Sequence, residues 1–169
     1  MVEKDTIFSS KIKYKTGIFS FKDFYAFCYD WLTEETNLDV AENKYSEKIS
    51  GDSKDIDFEW LGKRKLTDYF RFDVQVKFKV LGLTEVEVQE GNTKVKTNKG
   101  SVEISMKGFL SRDYEGKFEK TAGKKFLRSI YEKWVIPSRI SEYEEKVIGE
   151  CDEFLNQAKA YLDLEGKKQ

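Results

Sequence analysis

Residues 68–82 read DYFRFDVQVKFKVLG, and this stretch decides the fold class. Phe70, Phe72, Val74, Val76, Phe78 and Val80 take alternate positions, with Tyr69, Arg71, Asp73, Gln75, Lys77 and Lys79 between them. Successive side chains of a strand point to opposite faces. A period of two therefore gives one apolar and one polar face, the signature of a half-buried antiparallel strand. A run over 66–81 would extend about 50 Å if straight, longer than usual for a strand. A strongly coiled sheet that curls around another element is expected.

The same period holds from residue 38 to 112. Strands are expected near 39–50, 54–62, 66–81, 83–90, 92–98 and 100–112, after a first strand over 7–15 that Gly17 breaks. Ile56, Phe58 and Trp60 alternate in one of them, and Val102, Ile104, Met106 and Leu110 in the last. Turn residues separate the runs: Gly51-Asp52, Gly62-Lys63, Gly82, Gly91-Asn92 and Asn98-Lys99-Gly100.

On either side the period changes to 3.6. Ser20 with Asp23 three positions on marks an N-cap. The following helix places Phe21, Phe24, Tyr25, Cys28, Trp31 and Leu32 on one face, widened by Phe27. Phe126, Leu127, Ile130, Tyr131, Trp134 and Val135 mark a helix over about 117–136, which Pro137 ends or kinks. A second helix over about 138–164 carries Ile140, Tyr143, Val147, Cys151, Phe154, Ala158 and Tyr161, with Ile148, Leu155 and Leu162 in a parallel row. That stripe is wider than a coiled-coil seam, so the helix is expected to lie on its own sheet.

Composition bounds the chemistry. A chain of 169 residues with 13 Phe, 9 Tyr and 3 Trp fits a single domain, 1–169, with a real core. Thirty Lys and Arg against 31 Asp and Glu leave a net charge of −1, which argues against non-specific attraction to nucleic acid or an anionic membrane. No apolar run approaches a membrane span, and MVEKDTIFSSKIKYK lacks the apolar centre of a signal peptide. Cys28 and Cys151 fall inside helical stripes and read as reduced, buried thiols. A cytoplasmic protein is expected. The absence of histidine removes the commonest general base and metal ligand. Neither an enzyme nor a cofactor or metal is expected.

The order strand, helix, about six antiparallel strands and long C-terminal helix resembles the helix-grip architecture of the START-like (SRPBCC) superfamily. The fold class expected is α+β, a curved antiparallel sheet of about six to seven strands packed on a long C-terminal helix. The resemblance implies binding of a hydrophobic small molecule or lipid between sheet and helix, or in some members a protein-binding role. A pocket of that kind would be lined by Phe70, Phe72, Val74, Val76, Phe78, Val102, Ile104 and Met106, with Trp134, Tyr143, Phe154 and Tyr161 opposite. The same residues also make a solid core, and periodicity does not separate the two. Gly108, on the side of Ile104 and Met106, marks either a twist-relieving position or a close backbone approach.

Four polar features stand outside that set. Lys117, Lys120, Lys124 and Arg128, with Lys125 beside them, form a basic helical stripe, read as a solvated face rather than a phosphate-contacting one. The last helix is acidic, with Glu142, Glu144, Glu145, Glu150, Asp152, Glu153, Asp163 and Glu165; it too is read first as a solvated face, with a basic partner or the basic stripe of a second copy as the alternative. Asp55, Asp57 and Glu59 share a strand face without a calcium-loop spacing. Asp73 is expected to pair with a base on a neighbouring strand. Two readings of function result: an apolar-ligand module, or a protein-interaction or homodimeric module with a filled core.

Overall fold

Five antiparallel strands form one sheet among the residues that a computed structural model describes, 3–112, 122–130, 133 and 137–167. They are β1 (Glu3–Phe19), β2 (Asp39–Ser50), β3 (Ser53–Lys65), β4 (Phe70–Glu90) and β5 (Thr93–Arg112), ordered β1-β5-β4-β3-β2. Helix α1 (Phe21–Asp30) follows β1 and runs into a π turn over Trp31–Glu35; α2 (Ala122–Ile130) and α3 (Pro137–Lys167) follow β5. The fold is α+β, and Pro137 stands at the first position of α3, where its missing N–H has no helical partner to lose.

The expected strand count is corrected from six or seven to five, and the reason is physical. Gly82 (φ +62°) is a bulge, not a turn: β4 runs on to Glu90, with a register shift between Leu81 and Thr84. Asp55 of β3 holds the bulge by accepting the Gly82 N–H at 2.8 Å. Gly100 sits within β5, so the Asn98-Lys99-Gly100 triplet is strand as well. Gly17 likewise does not end β1, which continues to Phe19 through a register shift after Tyr14. A Cβ at Gly17 would collide with the Tyr14 ring. Beyond Thr84, the last residue to pair with β3, the two strands continue as a two-stranded arm to the turn at Gly91-Asn92.

Register sorts the side chains into rows across the sheet. Ile12, Ile104, Phe78, Phe58 and Tyr45 form one inner row; Phe8, Gly108, Val74, Gly62 and Val40 form another. Helix α1, capped by Ser20 whose hydroxyl accepts from the Asp23 N–H, covers the β3–β4 half. Phe24 meets Phe78 edge-on (6.4 Å between centroids), and Tyr25 meets Trp60 in the same way (5.1 Å). Helix α3 covers β1 and β5, and the helices meet where Tyr161 stacks on Phe27 at 4.5 Å. Arg64 fastens the layers together. Its guanidinium donates to Glu150 on α3 (2.9 Å) and to the Thr36 carbonyl, and lies over the Phe72 ring. Hydrogen bonds to charged groups of this kind contribute about 1.5–3 kcal/mol. Arg64→Ala is expected to lose about that much in a urea titration, and a loss below about 0.5 kcal/mol would mean the contact is not formed.

Gly108 is a close-approach glycine. A Cβ there would lie 3.0 Å from Cys151 Sγ, 3.3 Å from the Phe8 Cβ and 3.5 Å from Val147 Cγ1. Helix α3 therefore rests on bare backbone at this row. Gly108→Val is expected to cost about 1–3 kcal/mol by overpacking, and an unchanged unfolding midpoint would show that α3 stands further off.

Candidate functional site

The residues expected to line a pocket are core residues. Phe70, Phe72, Val74, Val76, Phe78, Val102, Ile104, Met106 and Phe154 are all buried, none above 3% exposed. They fall into two clusters rather than one. Phe70 joins Tyr69 and Leu110, with Tyr143 packed on its ring at 5.4 Å. The others share the main cluster, against which Tyr161 packs half-buried. Phe78 is sandwiched in that cluster, stacked on Phe58 at 4.4 Å between centroids and 9° between planes. Trp134 lies outside the described residues, as do Lys117 and Lys120.

The buried nucleophiles are quiet. Burial pushes the Cys28 thiol well above its ordinary value, and burial with nearby Glu150 and Asp152 pushes Cys151 up to about 12. Neither thiol supplies thiolate near neutral pH. Tyr25 is raised to about 12, first by burial and then by its hydrogen bond to Glu42. Glu42 also accepts from the Trp60 indole at 3.1 Å.

The face of the sheet away from the helices is different. Its rows read Lys4, Ser111, Arg71, Lys65; Thr6, Phe109, Asp73, Lys63, Asp39; and Ser9, Lys107, Gln75, Leu61, Ala41. Next come Lys11, Ser105, Lys77, Glu59, Lys44, and then Lys13, Glu103, Lys79, Asp57, Ser46. Basic side chains outnumber acidic ones across these rows, and several acids already have partners. Glu103 takes Lys11, whose hydrogen bond holds its carboxyl below the ordinary range. Glu59 takes Asn43 (2.9 Å) and Lys77 (3.9 Å). Lys44, Lys63, Lys79 and Lys107 have no carboxylate within salt-bridge distance among the described residues.

At one end of this face Asp73 is buried and surrounded by donors. Arg71 holds it with two N–H groups (2.7 and 3.0 Å), Ser111 donates its hydroxyl at 2.9 Å, and Lys4 approaches to 3.3 Å. The base expected on a neighbouring strand is corrected: the neighbouring strand β5 supplies the Ser111 hydroxyl, and the charges come from Arg71 on Asp73's own strand and Lys4 on β1, two strands away. A carboxylate so fully engaged is a structural anchor. Above it opens a recess of about 510 Å³ lined by Lys4, Lys63, Arg71, Leu61, Gln75 and Phe109 among others, with the Lys4 ammonium 5.3 Å from the Phe109 ring centroid. Two further open recesses follow: one of about 460 Å³, lined by Lys11, Lys77 and Lys107 with no acid among the described residues, and one of about 330 Å³, where Lys44, Lys77 and Lys79 face Asp57, Glu59 and Glu103.

Sequence reasoning missed this face because it weighed charge over the whole chain. Near neutrality conceals a separation: lysine on the open sheet face, Asp and Glu on the solvent side of α3. The signal was present in Lys11, Lys13 and Lys15 and in Lys77 and Lys79, which recur with period two. Among the described residues no helix is long and apolar enough to cross a membrane. Comparison with protein-family models, with curated proteins and with solved structures finds no match to this chain.

Proposed function

We propose that this protein is a helix-grip-like interaction module with a filled core, which docks an anionic partner on the helix-free face of its sheet. One observation carries the reading: on the open face lysine and arginine outnumber Asp and Glu, and Lys44, Lys63, Lys79 and Lys107 have no salt-bridge partner among the described residues, while the other face is committed to packing α1 and α3. Clustered positive charge in a shallow, partly apolar surface raises the local concentration of anionic groups and speeds encounter. An apolar ligand between sheet and α3, which the START-like resemblance implies, is the weaker reading. It would have to displace side chains that already fill van der Waals contact in the two clusters. Native mass spectrometry of protein purified from its own host tests that reading, a co-purifying lipid mass being its support and a clean apo mass its loss.

For the docking face, retention on immobilised heparin is the test. Lys79→Glu with Lys107→Glu is expected to weaken binding about tenfold and to lower the salt slope by roughly two. Lys146→Glu with Lys159→Glu on the acidic α3 makes the same change in net charge without touching the face and is expected to have little effect. Equal losses in both variants would make the attraction a matter of net charge, and absence of retention in the unmodified protein would remove the reading.

A further inference from the structure

Helix α2, AGKKFLRSI, contains no acidic residue. At 3.6 residues per turn Phe126, Leu127 and Ile130 share one arc, and Lys124 and Lys125 fall on the other. In a helix packed on its own domain the apolar arc is the buried one, as in α3, where Val147, Cys151 and Phe154 are wholly buried. In α2 no described side chain is buried: Phe126 is 65% exposed, Leu127 57% and Ile130 39%, and Lys124 and Lys125 are exposed as well. An apolar arc in water is unfavourable unless something covers it.

The chemistry of the arc and its flanks selects the cover. A basic helix with an apolar side fits an anionic bilayer surface, where apolar side chains reach the acyl boundary and lysines extend to the headgroup phosphates. Nine residues span about 14 Å along the axis, too short to cross a bilayer but suited to lying in its plane. The α3 of a second copy offers a poorer match: among the described residues the large apolar side chains exposed on it are Ile148 and Leu164, more than four turns apart. We propose that α2 lies in the surface of an anionic lipid bilayer, with Phe126, Leu127 and Ile130 inserted and Lys124 and Lys125 at the phosphates. This goes beyond the docking face of the sheet and rests on a separate element.

Co-sedimentation of the full chain with vesicles tests it, using phosphatidylcholine alone and equimolar phosphatidylcholine and phosphatidylglycerol. The protein is expected to sediment with the anionic vesicles and not with the neutral ones. Phe126→Ser with Leu127→Ser leaves every charge in place and is expected to weaken that binding about tenfold or more, with the thermal unfolding midpoint unchanged. Failure of the unmodified protein to bind anionic vesicles would overturn the proposal, as would undiminished binding by the double variant. A marked fall in its unfolding midpoint would show that the arc packs on the chain's own body. A fall in mass by sedimentation equilibrium would assign the arc to a second copy. Heparin retention by Lys79 and Lys107 is read separately, so loss of vesicle binding alone removes this proposal and leaves the sheet face standing.

Discussion

Phe72→Ala is expected to destabilise the protein by about 3–5 kcal/mol, the largest effect of any single change argued for this chain. Phe72 has no exposed surface, lies in the main cluster and supports the Arg64 guanidinium 5.3 Å above its ring. Its row across the sheet is also rigid, because Arg64 on β3 and Leu110 on β5 are fixed to either side by register. Little relaxation is available to close the hole, and the deletion therefore loses the transfer energy of the ring and adds a cavity term. The measurement is a urea titration read at constant m. It also discriminates between the two functional readings. A ring that lines an open ligand space leaves part of that space already unfilled, and its removal would cost clearly less, under about 2 kcal/mol.

The strand of residues 68–82 shows how far the sequence carries. Its alternation assigns Phe70, Phe72, Val74, Val76, Phe78 and Val80 to the core without error, because period two is a local property of extended backbone. Where it stops is not local. A glycine at φ +62° reads as a turn from sequence, yet at Gly82 the chain continues, since Asp55, distant in sequence, accepts its N–H and makes a bulge. Gly51 and Gly91, with similar φ, do turn the chain. The distinction lies in the partner strand, which sequence spacing does not reveal. Gly108 belongs to the same class: only the seating of α3 on β5 decides that its missing Cβ is a docking point.

The helices divide in the same way. Ser20, Phe24, Cys28 and Leu32 are legible because cap and stripe recur at four-residue steps along one local segment. The rows of α3 are mostly legible as well, with Val147, Cys151, Phe154, Leu155, Ala158 and Leu162 buried, although Ile148 is exposed. What the pattern did not give is the exposure of α2, where an apolar arc of the same kind stands in water along with the rest of the described side chains. Periodicity states that a helix has two sides; it does not state what meets them. The lysine-rich sheet face was hidden for a related reason. Its charges come from five strands that register brings side by side, and a sum along the chain cancels them against α3.

Asp73→Ala is expected to cost about 3 kcal/mol and, at the same time, to strengthen heparin binding. The carboxylate holds four donors from three strands: two from Arg71, one from Ser111 and one from Lys4. Removing it leaves the buried Ser111 hydroxyl without that acceptor and two cations facing each other across the recess, which is why the loss approaches that of a broken buried pair. Because Lys4 and Arg71 both reach water, the cost sits at the lower end for such pairs. The same deletion removes the one buried negative charge beneath the largest of the three lysine-lined recesses, so its potential rises. Stability and anion affinity should therefore move in opposite directions, each measured on the same preparation. A purely structural cluster, with no anion docking above it, would lose stability and leave heparin elution where it was. A loss under about 1 kcal/mol would instead make the cluster a screened surface pair, and the anchor role assigned to Asp73 would fall with it.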